Sequence, residues 1–332
     1  MKDEVLRTFP KGLRFIRSPQ DQFISGLVRL REKRAARRQE GRITVMTKRT
    51  IDKLVKKGIA IRTLGLTVDP RVRKPTFPPS SELLDAPWDA YEADKYIAVN
   101  VDVVRRMFGS KARPSPHELW AEVDWPETPM PEHPKRILAL YGVDSEENFA
   151  YLMRAIRAYN WDGAYILPKS CDIYNDTVQR VSRDTVFDCA YEEGRVADFI
   201  EFAKKHDLTP IFAMAPYMIR RSFPADATIK GQMHNGFRWY NWPADRPLGQ
   251  LPEKFALFVS SGNFSLRFDS VPNAIGVTIP MHNGTPSLGV ANAGTILMNA
   301  LSLNTQMESE EMIPLPETEP VDYEDTLPRE EE

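Results

Sequence analysis

The sequence predicts an α/β protein in two parts, a small basic α/β domain followed by a larger domain built on a mostly parallel sheet. Three observations carry this reading. Apolar runs of strand length alternate with helical patterns across residues 136–303. A shorter strand–helix alternation fills residues 15–67. The chain also has 332 residues, 42% hydrophobic and 27% charged, which suffices for about two separate cores.

The first part opens with an extended stretch, 15–20, that breaks at Pro19. Asp21 can then cap a helix whose Phe23, Leu27 and Leu30 recur at helical spacing, with Gly41 as its end. The other faces of that helix carry Arg29, Arg31, Lys33, Arg34, Arg37 and Arg38, a natural surface for phosphates. A strand at 43–46, a helix at 49–57 ended by Gly58 and a strand at 59–67 follow. The proline-rich stretch 70–91 reads as an inserted loop.

In the second part, residues 137–141 form a continuous apolar run suited to a central parallel strand. A helix at 145–159 follows, with Ser145 and Glu147 near its start, then strands at 164–167 and 184–188. A helix at 195–206 and strands at 210–214, 255–260 and 274–279 complete the sheet, and a small-residue helix closes the region. Residues 217–251 form an insert with Arg220, Arg221, Lys230, His234, Arg238, Trp239, Tyr240 and Trp242. Arginines interleaved with aromatics suit stacking and phosphate contact on RNA. The alternative is a surface loop whose aromatics pack back on the domain.

The net charge of −2 hides a segregation. Residues 11–74 hold 19 Lys/Arg against 5 Asp/Glu, while 307–332 hold one Arg against 11 acids. Such a basic region implies a polyanionic partner. The acidic tail carries four prolines and little apolar periodicity, and is expected to be disordered when free. No run approaches the ~18 apolar residues of a membrane span. Cys171 and Cys189 are too few for a disulfide framework or a zinc site. No P-loop or dinucleotide fingerprint is present. Lys2, Arg7, Lys11, Arg14 and Arg17 would suit mitochondrial targeting, whereas Asp3 and Glu4 oppose it and leave a cytoplasmic location as the alternative.

Four motifs carry chemistry. Asn148 and Arg154 stand six apart at the start of a helix; alone, they read sooner as a helix-capping amide and a solvated charge, the commoner uses of these residues. Arg180, Ser182 and Phe187 form a second element. The strand 255–259 runs into Ser260-Ser261-Gly262-Asn263-Phe264-Ser265-Leu266. The last is a strand and loop with Ile279-Pro280-Met281, Gly284, and Ser287-Leu288-Gly289 before the closing helix.

Together these motifs resemble the signatures of the SpoU-type (TrmH-like) RNA ribose 2′-O-methyltransferases of the SPOUT superfamily. The resemblance implies a trefoil knot in the second domain (136–306) that holds S-adenosylmethionine. It also implies that the first domain (15–127) is an RNA-substrate-binding domain related to a ribosomal-protein fold, closed by elements at 97–101, 103–108 and 114–125. An extension (1–14), a linker (128–135) and the tail (307–332) complete the organisation. By the resemblance, Asn148, Arg154 and Ser287 would serve catalysis. Ser260, Gly262, Asn263, Ile279, Met281, Gly284 and Leu288 would line the cofactor site.

Several family residues are replaced. Ala150 and Asp184 stand where the family has Gly. Ser260, Asn263 and Ser265 replace the loop glycines, Gly262 replaces a Glu, and Gly289 replaces an Asn. Loop glycines permit positive φ and close backbone approach to a ligand, and methyl transfer depends on positioning. These losses predict a degenerate subunit that binds structured RNA, with ribosomal RNA before transfer RNA, and serves ribosome assembly. It would act as a homodimer or paired with an active paralogue. The alternative is an active ribosomal or transfer RNA 2′-O-methyltransferase with a divergent pocket.

Overall fold

The computed structural model describes residues 13–68, 91–109, 118–219, 231–241, 251–261, 271 and 273–303. Most of the 70–91 insert, residues 220–230 and 242–250, the loop with Gly262 and Asn263, and the acidic tail lie outside the described residues.

The first domain starts with β1 (Arg14–Ile16) and α1 (Gln22–Glu32). Asp21 caps α1, its Oδ1 accepting from the Phe23 N–H at 2.8 Å. The expected single helix is two. Lys33, extended at φ −115 and ψ 110, interrupts it before α2 (Arg34–Glu40), and Gly41 ends α2 at φ 61. The break turns Arg37 inward, onto Asp172 of the second domain. Then come β2 (Arg42–Met46), α3 (Lys48–Lys56) capped by Thr47, β3 (Ile61–Val68), β4 (Ala93–Asn100), α4 (Val101–Phe108) capped by Asn100, and β5 (Leu119–Asp124). The sheet order is β1-β4-β3-β5-β2, with β5 antiparallel to both neighbours. Ile24, Leu27 and Leu30 of α1 share a core with Val103, Val104, Met107 and Trp120.

The second domain contains β6 (Arg136–Tyr141), α5 (Glu146–Ala158), β7 (Gly163–Ile166), α6 (Asp176–Val181), β8 (Tyr191–Glu193) and α7 (Val196–Lys205). It continues with β9 (Thr209–Ala213), β10 (Gln232–His234), β11 (Phe237–Asn241), β12 (Phe255–Ser260), β13 (Ile275–Thr278) and α8 (Val290–Leu303). The order is β10-β11-β13-β9-β12-β6-β7-β8, and the six strands from β13 to β8 are parallel. Successive β6 side chains serve opposite faces. Leu138 and Leu140 join the core beneath α5 and α8, and Ile137 and Ala139 join Phe199 and Phe202 of α7.

Two expectations fail here. Residues 184–188 are not a strand: Arg183 and Asp184 have positive φ, and Thr185–Asp188 is a 3-10 turn. Phe187 is instead buried and stacks on Tyr174 at 5.7 Å. The insert, expected as a loop, contributes the β10–β11 hairpin, whose Asn235-Gly236 turn has φ 50 and 79.

Ion pairs join the domains. Arg37, only 2% exposed, donates through Nε to Asp172 Oδ2 at 2.9 Å and through Nη1 to Leu30 O at 2.6 Å. Arg34 and Arg38 both pair with Glu193. Lys53 and Lys57 both pair with Asp188. Burial pushes the Asp188 carboxyl up, but the two ammonium groups outweigh it and hold the group below its ordinary value. A depressed carboxylate stabilises the fold above its unfolded pKa, and that stability is lost as pH falls through the folded value. Urea unfolding followed below about pH 4 is therefore expected to show Asp188→Asn with a flatter acid limb than the wild type. An unchanged limb would remove Asp188 from the acid response.

Candidate functional site

In open α/β sheets ligands bind at the carboxyl ends of the strands, where the strand order reverses. Here β9, β12 and β13 end together beside β6, and a cleft of about 260 Å³ opens above them. Met214, Ala215, Tyr217 and Met218 come from beyond β9, Ser260 and Ser261 from beyond β12, and Ile279 and Met281 from beyond β13. Ser287, Leu288 and Gly289 form the lip, and Val290, Ala293 and Leu297 of α8 form a wall.

Asn148 reaches this cleft from α5. The helix is capped by Ser145, whose Oγ accepts from the Asn148 N–H at 3.3 Å, so the Asn148 amide is free of capping duty. That amide has no hydrogen-bond partner among the described residues. Ser287 is exposed, and its Oγ accepts from the Gly289 N–H at 3.1 Å. Gly289 stands at φ 81 before the first turn of α8. No Asp, Glu, Lys, Arg or His is among the described lining residues.

The expected site residues divide. Asn148, Ser260, Ile279, Met281, Ser287 and Leu288 are brought together. Gly262 and Asn263 lie outside the described residues. Gly284 is an exposed turn residue at φ 69 and does not line the cleft. Arg154 lines a separate open groove with Tyr151, Arg157, Ala291 and Asn292, on the other side of Leu288. Sequence reasoning missed Met214, Ala215, Tyr217 and Met218, whose signal was the Pro216 turn directly after a buried strand.

The expected RNA-binding residues need correction at two positions. Arg37 is buried against Asp172, where it bonds within the protein and is closed to phosphate. Trp239 is 2% exposed, donates through Nε1 to His234 O and packs at the edge of Phe237, so it offers no face for a base. Arg29, Arg31, Arg34 and Arg38 are each engaged by a carboxylate, from Glu40, Glu32 or Glu193. Lys33 and Arg238 remain exposed.

Other chemistries find little footing. Burial pushes the Cys171 and Cys189 thiols up to about 12, so neither is a nucleophile near neutrality. Among the described residues, no cluster of His, Cys, Asp or Glu could hold a metal ion, and no helix is long and apolar enough to cross a membrane.

No protein-family model and no curated protein sequence matches the chain. Solved structures do. An rRNA methyltransferase from Sinorhizobium meliloti with AdoMet bound is 14% identical, with 89% of this chain and 99% of that chain aligned at a TM-score of 0.63. The SpoU methyltransferase AviRb from Streptomyces viridochromogenes, also with AdoMet, is 18% identical over 86% and 98% at 0.60. An RNA 2′-O ribose methyltransferase is 19% identical over 88% and 98% at 0.59. At these identities the likeness establishes the fold, across nearly the full length of each neighbour.

Proposed function

We infer that this chain belongs to the SpoU/TrmH-type RNA 2′-O-methyltransferases. We propose that it binds structured RNA, ribosomal before transfer RNA, as a subunit whose own methyl transfer has been lost. The fold it shares with methyltransferases along both domains supports the family. Asn148, Ser260, Ile279, Met281, Ser287 and Leu288 of its motifs meet in one cleft at the ends of the sheet, which supports the same assignment.

The residues fit the adenosyl part of S-adenosylmethionine better than its charged end. Ile279, Met281 and Leu288 give apolar walls, and Ser260 and Asn148 give polar edges. When bound, that cofactor supplies an electrophilic methyl group. Its ammonium and sulfonium would meet no carboxylate among the described lining residues.

The observation that carries the loss is Gly289. It lies on the cleft lip, where the resemblance calls for an Asn, and so brings no amide to position a ribose. The second reading, an active enzyme, draws on the Asn148 amide left free at the cleft. In a calorimetric titration with S-adenosylmethionine, alone and with a structured ribosomal RNA fragment, no binding is expected at micromolar concentration, while the RNA itself binds. Micromolar cofactor affinity would overturn the expected loss of cofactor binding and favour the enzyme reading, which a methylated ribose in that RNA would then establish.

A further inference from the structure

A second cleft, of about 360 Å³, lies where the domains meet, and nothing in the methyltransferase site accounts for it. From the first domain it takes Thr44, Met46, Thr47, Arg49, Thr50 and Phe108. Asp176, Gln179, Arg180, Arg183 and Asp184 complete it from the second. Arg49, Arg180 and Arg183 are exposed and make no ion pair or hydrogen bond among the described residues. That sets them apart from the arginines of α1 and α2, which carboxylates of this chain already hold.

We propose that Arg49, Arg180 and Arg183 form a seat for the phosphodiester backbone of RNA at the junction of the two domains. The proposal rests on the RNA-binding reading above and names the residues that carry it. Three guanidiniums around one concavity suit phosphate oxygens, because each offers a planar pair of donors. The cleft is walled rather than flat, with Phe108 and Met46 on one side and the start of α3 on another. Arg49 also lines a neighbouring concavity with Lys48, Asp52, Lys53 and Lys56, where Lys48 pairs with Asp52 and Lys53 with Asp188, so Arg49 and Lys56 extend the positive surface along α3. A chain of phosphates could follow that path.

The two carboxylates in the cleft do not cancel it. Asp184 accepts from the Thr50 hydroxyl and faces Lys53 as well as Arg49. Asp176 faces Arg31 as well as Arg180. The lining therefore sets three guanidiniums against two carboxylates and keeps a net positive charge. The seat joins both domains: an RNA strand lying in it would touch α3 and the end of α6 at once.

The test is fluorescence anisotropy with a labelled ribosomal RNA hairpin, titrated at several salt concentrations. The proteins are the full chain, an Arg49→Ala/Arg180→Ala/Arg183→Ala triple variant, its Arg→Gln counterpart in case the alanines unfold it, and an Arg29→Ala/Arg38→Ala control. The triple variants are expected to lose on the order of 10-fold in affinity, and their log–log salt slope should fall by roughly 2. The control should stay within about 2-fold, as expected for paired surface arginines. If the wild-type chain binds the hairpin and the folded triple variants match it in affinity and slope, the seat is wrong but the RNA-binding reading survives. If the wild type fails to bind the hairpin at low salt, both fall.

Discussion

Replacing Arg37 by alanine is expected to lower the stability of the protein by about 3–5 kcal/mol, the largest effect among its many arginines. Composition alone places Arg37 in the same basic patch as Arg29. Structure separates them. Arg37 lies at the joint of the domains with its guanidinium spread over Asp172, Leu30 O and Arg31 O. Removing it leaves the Asp172 carboxylate, itself 8% exposed, buried without its counter-ion. Arg29, whose side chain is 60% exposed in its pair with Glu40, should cost no more than about 1 kcal/mol. Asp172→Asn in the Arg37→Ala background should recover part of the loss, since a neutral amide can still accept from the Tyr174 N–H that now bonds Oδ1. Urea unfolding of the four proteins decides it. If Arg37→Ala unfolds at the wild-type midpoint, the pair contributes nothing and the domain joint is held by other contacts.

What the sequence reveals and hides follows from which forces are local. The strands β6 and β12 are continuous apolar runs, and both were legible because strands buried on both faces leave no room for polar alternation. Asp21, Ser145 and Gly41 act locally and mark helix ends as their side chains or backbone freedom dictate. The break at Lys33 has no such marker. Lys is a good helix former, and the interruption serves a contact between Arg37 and a residue 135 positions later. A still longer separation along the chain hid the pairing of Arg34 and Arg38 with Glu193, so a patch of neutralised arginines looked like a free one. Residues 185–187 carry strand-favouring side chains, yet burial of Val186 and Phe187 in a turn overrode them. The hairpin in the insert was legible in principle, since Asn235-Gly236 between two aromatic-containing runs is a strong turn signal. At the site, motif spacing found the lip and the Asn148 side. The β9 end, with Met214 and Met218, is apolar and carries no signature.

A second large effect is expected from the smallest possible addition. Gly65→Ala should cost about 3 kcal/mol, although Ala normally strengthens a strand relative to Gly. Gly65 on β3 pairs directly with Trp120 on β5, and the indole lies flat over the glycine so that an added Cβ would fall within the ring. Trp120 is fully buried among Ile16, Leu27, Val103 and Met107, so the ring has nowhere to retreat. Its Nε1 has no hydrogen-bond partner among the described residues, which means that it is held there by packing alone. The clash is therefore with the ring, and shortening the ring's residue should relieve it. Trp120→Leu alone will destabilise by leaving a cavity. Adding Gly65→Ala to it should cost far less than Gly65→Ala costs in the wild type, a coupling that a double-mutant cycle in thermal or urea unfolding measures directly. Additive losses would mean that the strain lies in the β3 backbone and not in the pair. Because β3 is the central strand of the domain that carries α3, a loss at Gly65 should also weaken RNA binding through unfolding. It should leave intact the salt slope of whatever fraction stays folded, whereas loss of the phosphate-contacting arginines should lower that slope.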